Sequence, residues 1–184
     1  MTQPESKLQL NIGCGNKKIP GFINIDSREE TNPDLVCDLF SVDDYFKPKS
    51  VDLIYLCHVL EHLQRNDTES FLLKCKLLLK ENTGVLRISV PDFSQIVSYY
   101  HLTGNIKPLQ TLLYGGHKYK EDYHFVCFDY NSLSSLLLEC GFSYTRKYDW
   151  KLTEHAYIDD YSQAYLPHMD KVNGMLMSLN VEAR

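Results

Sequence analysis

The segment 57–64, CHVLEHLQ, contains two histidines and a glutamate at a spacing that could serve catalysis or metal binding. His58, Glu61 and His62 read H-x-x-E-H, which in some peptidases supplies two zinc ligands and a general base from one helix. Histidines four residues apart on a helix share a face, so the spacing permits zinc binding, with a third ligand from elsewhere. The motif admits a zinc hydrolase as one alternative, and a structural turn as another.

A second group of candidate residues follows the predicted strands. Short apolar runs predict strands at 7–12, 21–26, 34–39, 51–56 and 85–91. The residues that close or follow the first four are Gly13, Cys14, Gly15, Asp26, Asp38, Leu39, Cys57 and His58. The carboxyl ends of parallel strands meet at one edge of a sheet, where α/β folds bind ligands. We therefore expect these residues to surround a single site.

The residue types at this edge fit a nucleoside-containing cofactor. Gly13 and Gly15 allow a ligand to approach the backbone closely, although G-x-G also occurs in ordinary tight turns. Asp26 is suited to both ribose hydroxyls, and Asp38 to an adenine amino group. NAD is disfavoured, because Lys18 occupies the third glycine position of G-x-G-x-x-G and the acid comes about ten residues after the turn instead of ~20.

The elements that must position these residues form an α/β domain. Helices are predicted at 67–80, 93–102 and 131–140, and two further strands at 142–149 and 174–181. The last strand is predicted to be antiparallel to the one before it. Strands separated by helices or loops indicate a mostly parallel sheet covered on both faces. The segments 104–127 and 151–173 are predicted to be loops on the substrate side.

Length and composition limit the class of protein. The 184 residues are 43% hydrophobic and 23% charged, which suits one domain over 1–184. A net charge of −5 disfavours a protein that holds nucleic acid through its phosphates. The polar start MTQPESKLQL lacks the features of a signal peptide, and no apolar run approaches the roughly 20 residues of a membrane span. Six cysteines without a C-x-x-C pair fit a reducing compartment, so we expect a cytoplasmic protein.

As a set, the motifs resemble the class I S-adenosylmethionine-dependent methyltransferases. The segments that carry the resemblance are, in order, LNIGCGNKKIPGFINID, VCDL, VDLIYLCHVLEHL, LLKENTGVLRISVPD and LLLECGFSYTRKYD. Within that superfamily the chain is similar to small predicted methyltransferases often associated with surface-glycan gene clusters. The likeness covers about residues 7–150. It implies a Rossmann-like, doubly wound, mostly parallel seven-stranded sheet with an antiparallel last strand and helices on both faces.

The resemblance also implies S-adenosylmethionine as the cofactor. Gly13, Cys14 and Gly15 would face its methionine part, Asp26 its ribose, Asp38 and Leu39 its adenine, and Cys57 and His58 its methionine moiety and sulfonium. The chain departs from the pattern at Asn11, where the family often has an acid. It also departs at Pro20 and Gly21, which abbreviate the helix after the glycine turn. A non-catalytic cofactor-binding or scaffold domain of the same fold is therefore the alternative.

The segment 113–125, LYGGHKYKEDYHF, is predicted to be a loop over this edge, with glycines 115 and 116 as its hinge. Methyl transfer to a hydroxyl needs a base. The resemblance favours His124 over His117 as that acid/base or as a substrate contact. It also places His58 beside the reacting sulfonium. His124 and His58 are therefore the catalytic candidates, with a surface or loop-tying histidine as the alternative interpretation.

The segment 156–171 supplies the remaining candidates. Contacts to the acceptor are predicted from Asp159, Asp160, Ser162 and His168. Adjacent aspartates are more often a solvated turn than a metal site, so no metal ligand is predicted. VPDF also lacks the N-P-P-[YF] pattern of enzymes that methylate nucleobase nitrogens. We expect a small-molecule or glycan acceptor with a hydroxyl as the methylated group, no nucleic-acid partner, and a homo-oligomer as an open alternative.

Overall fold

The computed structural model describes residues 7–184. Residues 1–6, which include most of the polar start considered above, lie outside the described residues. The strands are β1 (Gln9–Ile12), β2 (Ile23–Asp26), β3 (Leu35–Val36), β4 (Leu53–Cys57), β5 (Val85–Pro91), β6 (Thr145–Lys147), β7 (Tyr165–Leu166), β8 (Met175–Leu176) and β9 (Ser178–Ala183). The α-helices are α1 (Arg65–Leu78), α2 (Phe93–Thr103), α3 (Gln110–Tyr114) and α4 (Tyr130–Glu139).

Seven strands form one sheet in the order β3-β2-β1-β4-β5-β9-β6. The first five are parallel to their neighbours, as in the pairs Leu10↔Ile54 and Leu56↔Ile88. Strand β9 lies between β5 and β6 and is antiparallel to both. The predicted fold class, a Rossmann-like mostly parallel seven-stranded sheet with an antiparallel last strand, is confirmed.

One face of the sheet holds the main hydrophobic core. The strand side chains that point into it include Leu10, Ile12, Ile54, Leu56, Leu86, Ile88 and Val181, all fully buried. Helix α1 packs on them through Phe71, Leu72, Cys75 and Leu78, and α4 through Leu133 and Leu137. The i, i+4, i+7 spacing in α1 makes one apolar stripe, and each such side chain contributes about 1.5–3 kcal/mol by its burial.

The opposite face of the sheet is polar, and the segment that packs on it differs from the helices that pack on the apolar face. Its buried side chains include Asn11, Asn24, Tyr55, Ser89, Asn180 and Glu182. The segment 148–163 lies over them with two 3-10 turns, Trp150–Leu152 and Tyr161–Gln163. Polar groups bond across the layer, including Asn180 Nδ2 to the Ser162 carbonyl at 3.0 Å. Helical segments therefore cover both faces, but short turns with polar contacts replace long amphipathic helices on this one.

The two predicted loop regions contain more regular structure than expected. Region 104–127 includes a 3-10 turn, Lys107–Leu109, and helix α3. Region 151–173 contributes β7, which pairs with β8 as Leu166↔Met175. Conversely, β3 and β6 are shorter than predicted, because each lies at a sheet edge with a single partner strand. Among the described helices, none combines the length and apolarity that crossing a bilayer requires.

Candidate active site

A cavity of about 550 Å³ opens at the carboxyl ends of β1, β2 and β4. The predicted site residues that line it are Gly13, Cys14, Gly15, Asp26, Leu39, Cys57, His58 and His124. Asp38 is not among the lining residues. Its carboxylate accepts a hydrogen bond from the Phe40 N–H at 2.8 Å and so caps the 3-10 helix Leu39–Asp44. The sheet therefore brings His58 to the cavity that the glycine turn lines, the segment between α3 and α4 brings His124, and Asp38 caps the turn after β3.

The glycine turn after β1 depends on two residues with left-handed backbone. Gly13 has φ +69° and Gly15 has φ +49°. A Cβ at Gly13 would lie 2.6 Å from Val59 Cγ2, so the turn also passes close to the segment after β4. The Cys14 N–H donates to the Ile25 carbonyl at 2.9 Å and ties the turn to β2. Glycine is required at position 13 for both reasons.

Asp26 closes β2 and organises the floor of the cavity. It is 5% exposed, and its Oδ2 accepts from the Gly15 N–H at 2.7 Å. Its Oδ1 accepts from the Arg28 N–H at 2.9 Å and from Arg28 Nε at 3.2 Å. The Arg28 guanidinium carbon in turn lies 4.4 Å from the centre of the Tyr119 ring. Asp26 and Arg28 thus connect the glycine turn with the segment across the cavity.

Asn11 explains how the chain folds without a helix after the glycine turn. Its Nδ2 donates to the Lys17 carbonyl and to Asn24 Oδ1, both at 3.0 Å. Asn24 Oδ1 also accepts from the Ile19 N–H at 2.8 Å. A carboxylate at position 11 could not donate these bonds. The departure from the family pattern therefore fits the local structure, in which a loop pinned by two amides replaces the helix.

His58 is held through its backbone and through one nitrogen of its ring. Its backbone is left-handed at φ +54°, with the N–H donating to the Ser89 carbonyl at 2.8 Å. The Ser178 hydroxyl donates to the Tyr161 carbonyl at 2.5 Å, so at 3.1 Å it accepts from His58 Nε2. The proton is thereby fixed on Nε2, and burial lowers the His58 pKa to about 3. His58 is a neutral, rigidly oriented ring beside the cavity.

Glu61 lies in a 3-10 turn, Leu60–His62, and helix α1 begins after this turn, at Arg65. The helix that would put His58 and His62 on one face is absent, which corrects the geometry assumed for the peptidase interpretation. Glu61 is 1% exposed, and burial raises its pKa to about 8. His58 Nδ1 is 3.1 Å from Glu61 Oε1 but not aligned for a hydrogen bond. Among the described residues, both carboxylate oxygens lack a hydrogen-bond partner.

His62 and His124 form a pair in the lining of the cavity. Their ring centroids are 4.6 Å apart and the rings are nearly perpendicular, at 88°. His62 Nδ1 is 3.1 Å from the Tyr123 carbonyl, and His124 Nδ1 is 3.0 Å from the Leu112 carbonyl. A carbonyl only accepts, so each Nδ1 carries the proton and each Nε2 carries a lone pair. Burial lowers both pKa values, that of His124 to about 4.

Glycines 115 and 116 let the segment over the cavity turn back on itself. Gly115 has φ +81°, and a Cβ there would overlap the Asp122 carbonyl oxygen. A Cβ at Gly116 would lie 2.5 Å from the Asp122 carboxylate. The Phe125 N–H donates to the Glu61 carbonyl at 2.7 Å and fixes the end of the segment. Close packing thus accounts for both glycines, and their use as a hinge stays a prediction.

The candidates from 156–171 separate in the structure. Asp160 lines the cavity, and its oxygens accept from Tyr55 Oη at 2.8 Å and from the Ser162 hydroxyl at 2.6 Å. Asp159 is exposed and pairs with Lys171 at 2.8 Å. His168 is exposed and is not a lining residue. The two adjacent aspartates therefore point to different partners.

Several lining residues were not predicted from the sequence. They include Arg28, Tyr55, Tyr119 and Tyr161. Arg28 could have been found from its position two residues after Asp26, where its side chain can return to that carboxylate. Tyr55 could have been found from strand alternation, which puts it on the opposite face from Ile54 and Leu56. Tyr161 has no local signal, because segment 148–163 reaches the cavity through tertiary packing.

Comparison with known proteins adds to this geometry. No protein-family model matches the chain, and no curated protein matches it in sequence. A SAM-dependent methyltransferase from Archaeoglobus fulgidus has a TM-score of 0.59 and 15% identity over 97% of this chain and 86% of its own. The 1,6-didemethyltoxoflavin-N1-methyltransferase of Burkholderia thailandensis is a second similar structure, solved with 1,6-didemethyltoxoflavin and S-adenosylhomocysteine bound. Its TM-score is 0.57, with 16% identity over 96% of this chain and 70% of its own.

A small RNA methyltransferase is similar as well, with a TM-score of 0.60 and 12% identity over 98% of this chain but 24% of its own. At these identities the likeness shows the fold. The chain therefore has the Rossmann-like fold of the methyltransferases. The acceptors named for these proteins range from a small heterocycle to RNA, so the shared fold leaves the acceptor to the residues of the individual site.

Proposed function

We propose that this protein is an S-adenosylmethionine-dependent methyltransferase that acts on a hydroxyl of a small molecule or sugar. One observation carries the proposal. In a methyltransferase fold, the glycine turn at 13–15, buried Asp26 and the candidate histidines surround one cavity of about 550 Å³. This volume lies within the range of about 300–1,000 Å³ that small-molecule sites occupy.

The residues present fit the cofactor at two points. The glycine turn lines the cavity with backbone, and a Cβ at Gly15 would meet only Arg28 Nη2, at 3.3 Å, so a ligand can approach the backbone there closely. Asp26 Oδ2 accepts a single protein hydrogen bond, from the Gly15 N–H, and a carboxylate oxygen can accept about two. Asp26 can therefore still receive a ribose hydroxyl. When bound, S-adenosylmethionine supplies a methyl group activated by a positively charged sulfonium.

The chain then has to orient the reactants and exclude water. Burial raises the pKa of the Cys57 thiol well above its usual value, so the thiol stays neutral at this edge. Arg28, held by Asp26 and stacked near Tyr119, links the floor of the cavity to the segment above it. His124 Nε2 is the atom with a free lone pair for the acceptor, because Nδ1 is committed to the Leu112 carbonyl.

A sugar or other polyhydroxyl acceptor fits the lining on the open side. Tyr119 and Tyr161 provide aromatic faces, while Glu121 and Asp122 provide hydrogen-bond acceptors. The resemblance to methyltransferases of surface-glycan gene clusters points the same way. The alternative, a non-catalytic domain of this fold, is favoured by His58, whose Nε2 is committed to Ser178 and cannot relay a proton freely.

Titration calorimetry with S-adenosylmethionine and S-adenosylhomocysteine tests the cofactor, and transfer of a labelled methyl group to a panel of sugars and small alcohols tests the reaction. Asp26→Asn should weaken cofactor binding about 10- to 100-fold, as expected for one charge-assisted hydrogen bond. Glu30→Gln is the control, since Glu30 is exposed and outside the cavity. Failure of the wild-type chain to bind either compound would refute the proposal. Binding without transfer to any acceptor would favour the non-catalytic alternative.

A further inference from the structure

Glu61, His62 and His124 form a cluster that the proposed reaction leaves partly unexplained. Each offers one potential metal-ligand atom, and these atoms lie within 4.8 Å of one another. Two of the residues come from the turn after β4 and one from the segment over the cavity. The hydrogen bond from the Phe125 N–H to the Glu61 carbonyl, 2.7 Å long, joins the two pieces of backbone. At this separation the three residues are close enough to hold one ion between them.

The two histidines are in the state that a metal requires. Each Nδ1 donates to a backbone carbonyl, of Tyr123 for His62 and of Leu112 for His124, which leaves each Nε2 as a free lone pair. Metal-binding histidines commonly make this second hydrogen bond, which fixes the ring and its tautomer. Each ring is therefore anchored through Nδ1 to the backbone of the segment 111–124.

Glu61 supplies an independent observation. Its side chain is 1% exposed, and neither carboxylate oxygen has a hydrogen-bond partner among residues 7–184. The nearest ring atom, His58 Nδ1, has no proton to donate while Nε2 donates to Ser178. A buried carboxylate without a donor is costly unless a cation or a proton compensates it. Among residues 7–184 no protein cation lies at this position, so either a proton or a bound ion compensates the carboxylate, and the two histidine lone pairs beside it favour the ion.

We propose that Glu61, His62 and His124 bind one divalent transition-metal ion. Two imidazoles and one carboxylate suit zinc and ferrous iron, and also manganese or cobalt, better than magnesium, which prefers oxygen ligands. Three protein ligands leave coordination positions open. Because His62 and His124 line the cavity, we expect those positions to face it. No metal site is predicted from the sequence, and the zinc alternative considered there used His58 and His62 as ligands without His124.

The role of the ion rests on the proposed function. An acceptor hydroxyl bound at an open position has a lowered pKa, so its O–H bond breaks and the proton passes to water. The oxygen keeps the electron pair of the O–H bond and uses it to form a C–O bond with the methyl group of the cofactor. The bond between that methyl group and the sulfonium breaks, and its electron pair stays on sulfur. His124 is then a metal ligand and not the base, and the acceptor is held through the ion.

Metal binding can be measured without any acceptor. The full chain, treated with a chelator and desalted, is titrated with Co²⁺ in the visible absorption spectrometer and with Zn²⁺ in the calorimeter. We expect one equivalent of each to bind, without a thiolate charge-transfer band. Glu61→Gln and His124→Ala should each weaken binding by at least about 100-fold, more than loss of an outer partner would. His101→Ala is the control, because His101 is exposed on α2.

Binding of S-adenosylhomocysteine by each variant, with circular dichroism, shows whether it is folded. His62→Ala provides a third ligand test if one of the other variants does not fold. The inference is overturned if wild type takes up no stoichiometric Co²⁺ or Zn²⁺, if Glu61→Gln binds as wild type does, or if a thiolate band reveals a cysteine site. Cofactor binding without metal binding would remove this inference alone. Metal binding without cofactor binding would remove the proposed function alone.

Discussion

At the scale of single residues, the site depends on backbone conformations that few residue types adopt. Gly13→Ala should lower the free energy of unfolding by about 2–4 kcal/mol, because left-handed backbone costs alanine about 1–2 kcal/mol and the new Cβ meets Val59. It should also weaken cofactor binding, since the same turn lines the cavity. Chemical denaturation and calorimetry measure the two effects.

Gly21→Ala is the matched control for that substitution. Gly21 is left-handed as well, at φ +85°, but a Cβ there meets nothing within 4 Å. Its cost should therefore be the conformational part alone, about 1–2 kcal/mol. The rest of the Gly13→Ala cost comes from the contact with Val59, which Val59→Ala would relieve. The Gly13→Ala, Val59→Ala double variant should therefore lose less unfolding free energy than the sum of the two single variants. Equal costs for Gly13→Ala and Gly21→Ala would contradict the close approach to Val59.

Asn11 offers the second prediction at this scale. Introducing the acid that the family often has, Asn11→Asp, should destabilise the protein by about 1–3 kcal/mol instead of improving cofactor binding. An aspartate at position 11 cannot donate to the Lys17 carbonyl or to Asn24 Oδ1. These two oxygens would then lose their donor and face a carboxylate instead. Thermal denaturation and calorimetry test this. A stable variant with tighter cofactor binding would show that the amide network does not hold the loop.

At the scale of elements, the sequence predicted the central parallel strands and the long helices better than their connections. Strand β5 matches its predicted bounds, and α1 and α4 differ from theirs by one or two residues, because apolar runs and periodic stripes are local signals. The loop after β1, the cover of the polar face and the turn holding Glu61 were not predictable. Each is determined by partners distant in sequence, such as Asn24, Asp160 and Phe125.

The same limit applies to the candidate site. The residues that directly follow strands were predicted as a group, because sheet topology alone brings strand ends together. The cluster of Glu61, His62 and His124 was not, because its third member comes from the segment between α3 and α4. The tautomers of the histidines also depend on carbonyl groups that only the folded backbone positions.

The segment 111–124 gives the prediction that belongs to the element scale. Tyr119→Ala removes the ring beneath the Arg28 guanidinium, a contact worth about 0.5–2 kcal/mol. The segment should open more often, so trypsin should cut after Lys118 and Lys120 several-fold faster. Tyr157→Ala, an exposed tyrosine outside the cavity, should leave these cleavage rates unchanged. Mass spectrometry of timed digests measures both, and equal rates in wild type and Tyr119→Ala would show that Arg28 does not restrain the segment.

At the scale of the whole molecule, ion pairs on the polar face join three strands and the segment that covers them. Glu182 accepts from Arg87 Nη2 at 2.8 Å and from Arg146 Nη2 at 2.6 Å, and Arg87 also reaches Glu154 at 3.0 Å. Burial alone would raise the Glu182 pKa, but the hydrogen bonds from both arginines leave it below its usual value. This network replaces part of the apolar packing that a helix would have provided.

Glu182→Gln should therefore lower the free energy of unfolding at pH 7 by about 3 kcal/mol, as for one broken buried ion pair. Because the folded-state pKa is depressed, the contribution is complete above the unfolded pKa of about 4.3 and is lost as pH falls through the lower folded value. The difference between wild type and variant should shrink below about pH 4. Urea denaturation over this pH range measures it.

Glu81→Gln is the corresponding control. Glu81 pairs with Lys49 at 3.1 Å, but both side chains are more than half exposed, at 69% and 60%. Such a surface pair is worth about 0–1 kcal/mol. A pH-independent cost for Glu182→Gln, or one no larger than that of Glu81→Gln, would show that the buried network does not hold the polar face together.

Strand β9 sits between β5 and β6, so the sheet cannot be completed in the order in which its strands occur along the chain. The second edge of Val85–Pro91 is paired only when Ser178–Ala183 is present. Thr145–Lys147 pairs only with Ser178–Ala183, so it cannot join the sheet before that strand does. On a ribosome, the half of the molecule that carries the glycine turn can assemble early. The half that carries Ser178, the partner of His58, closes only after the whole intervening chain has been made.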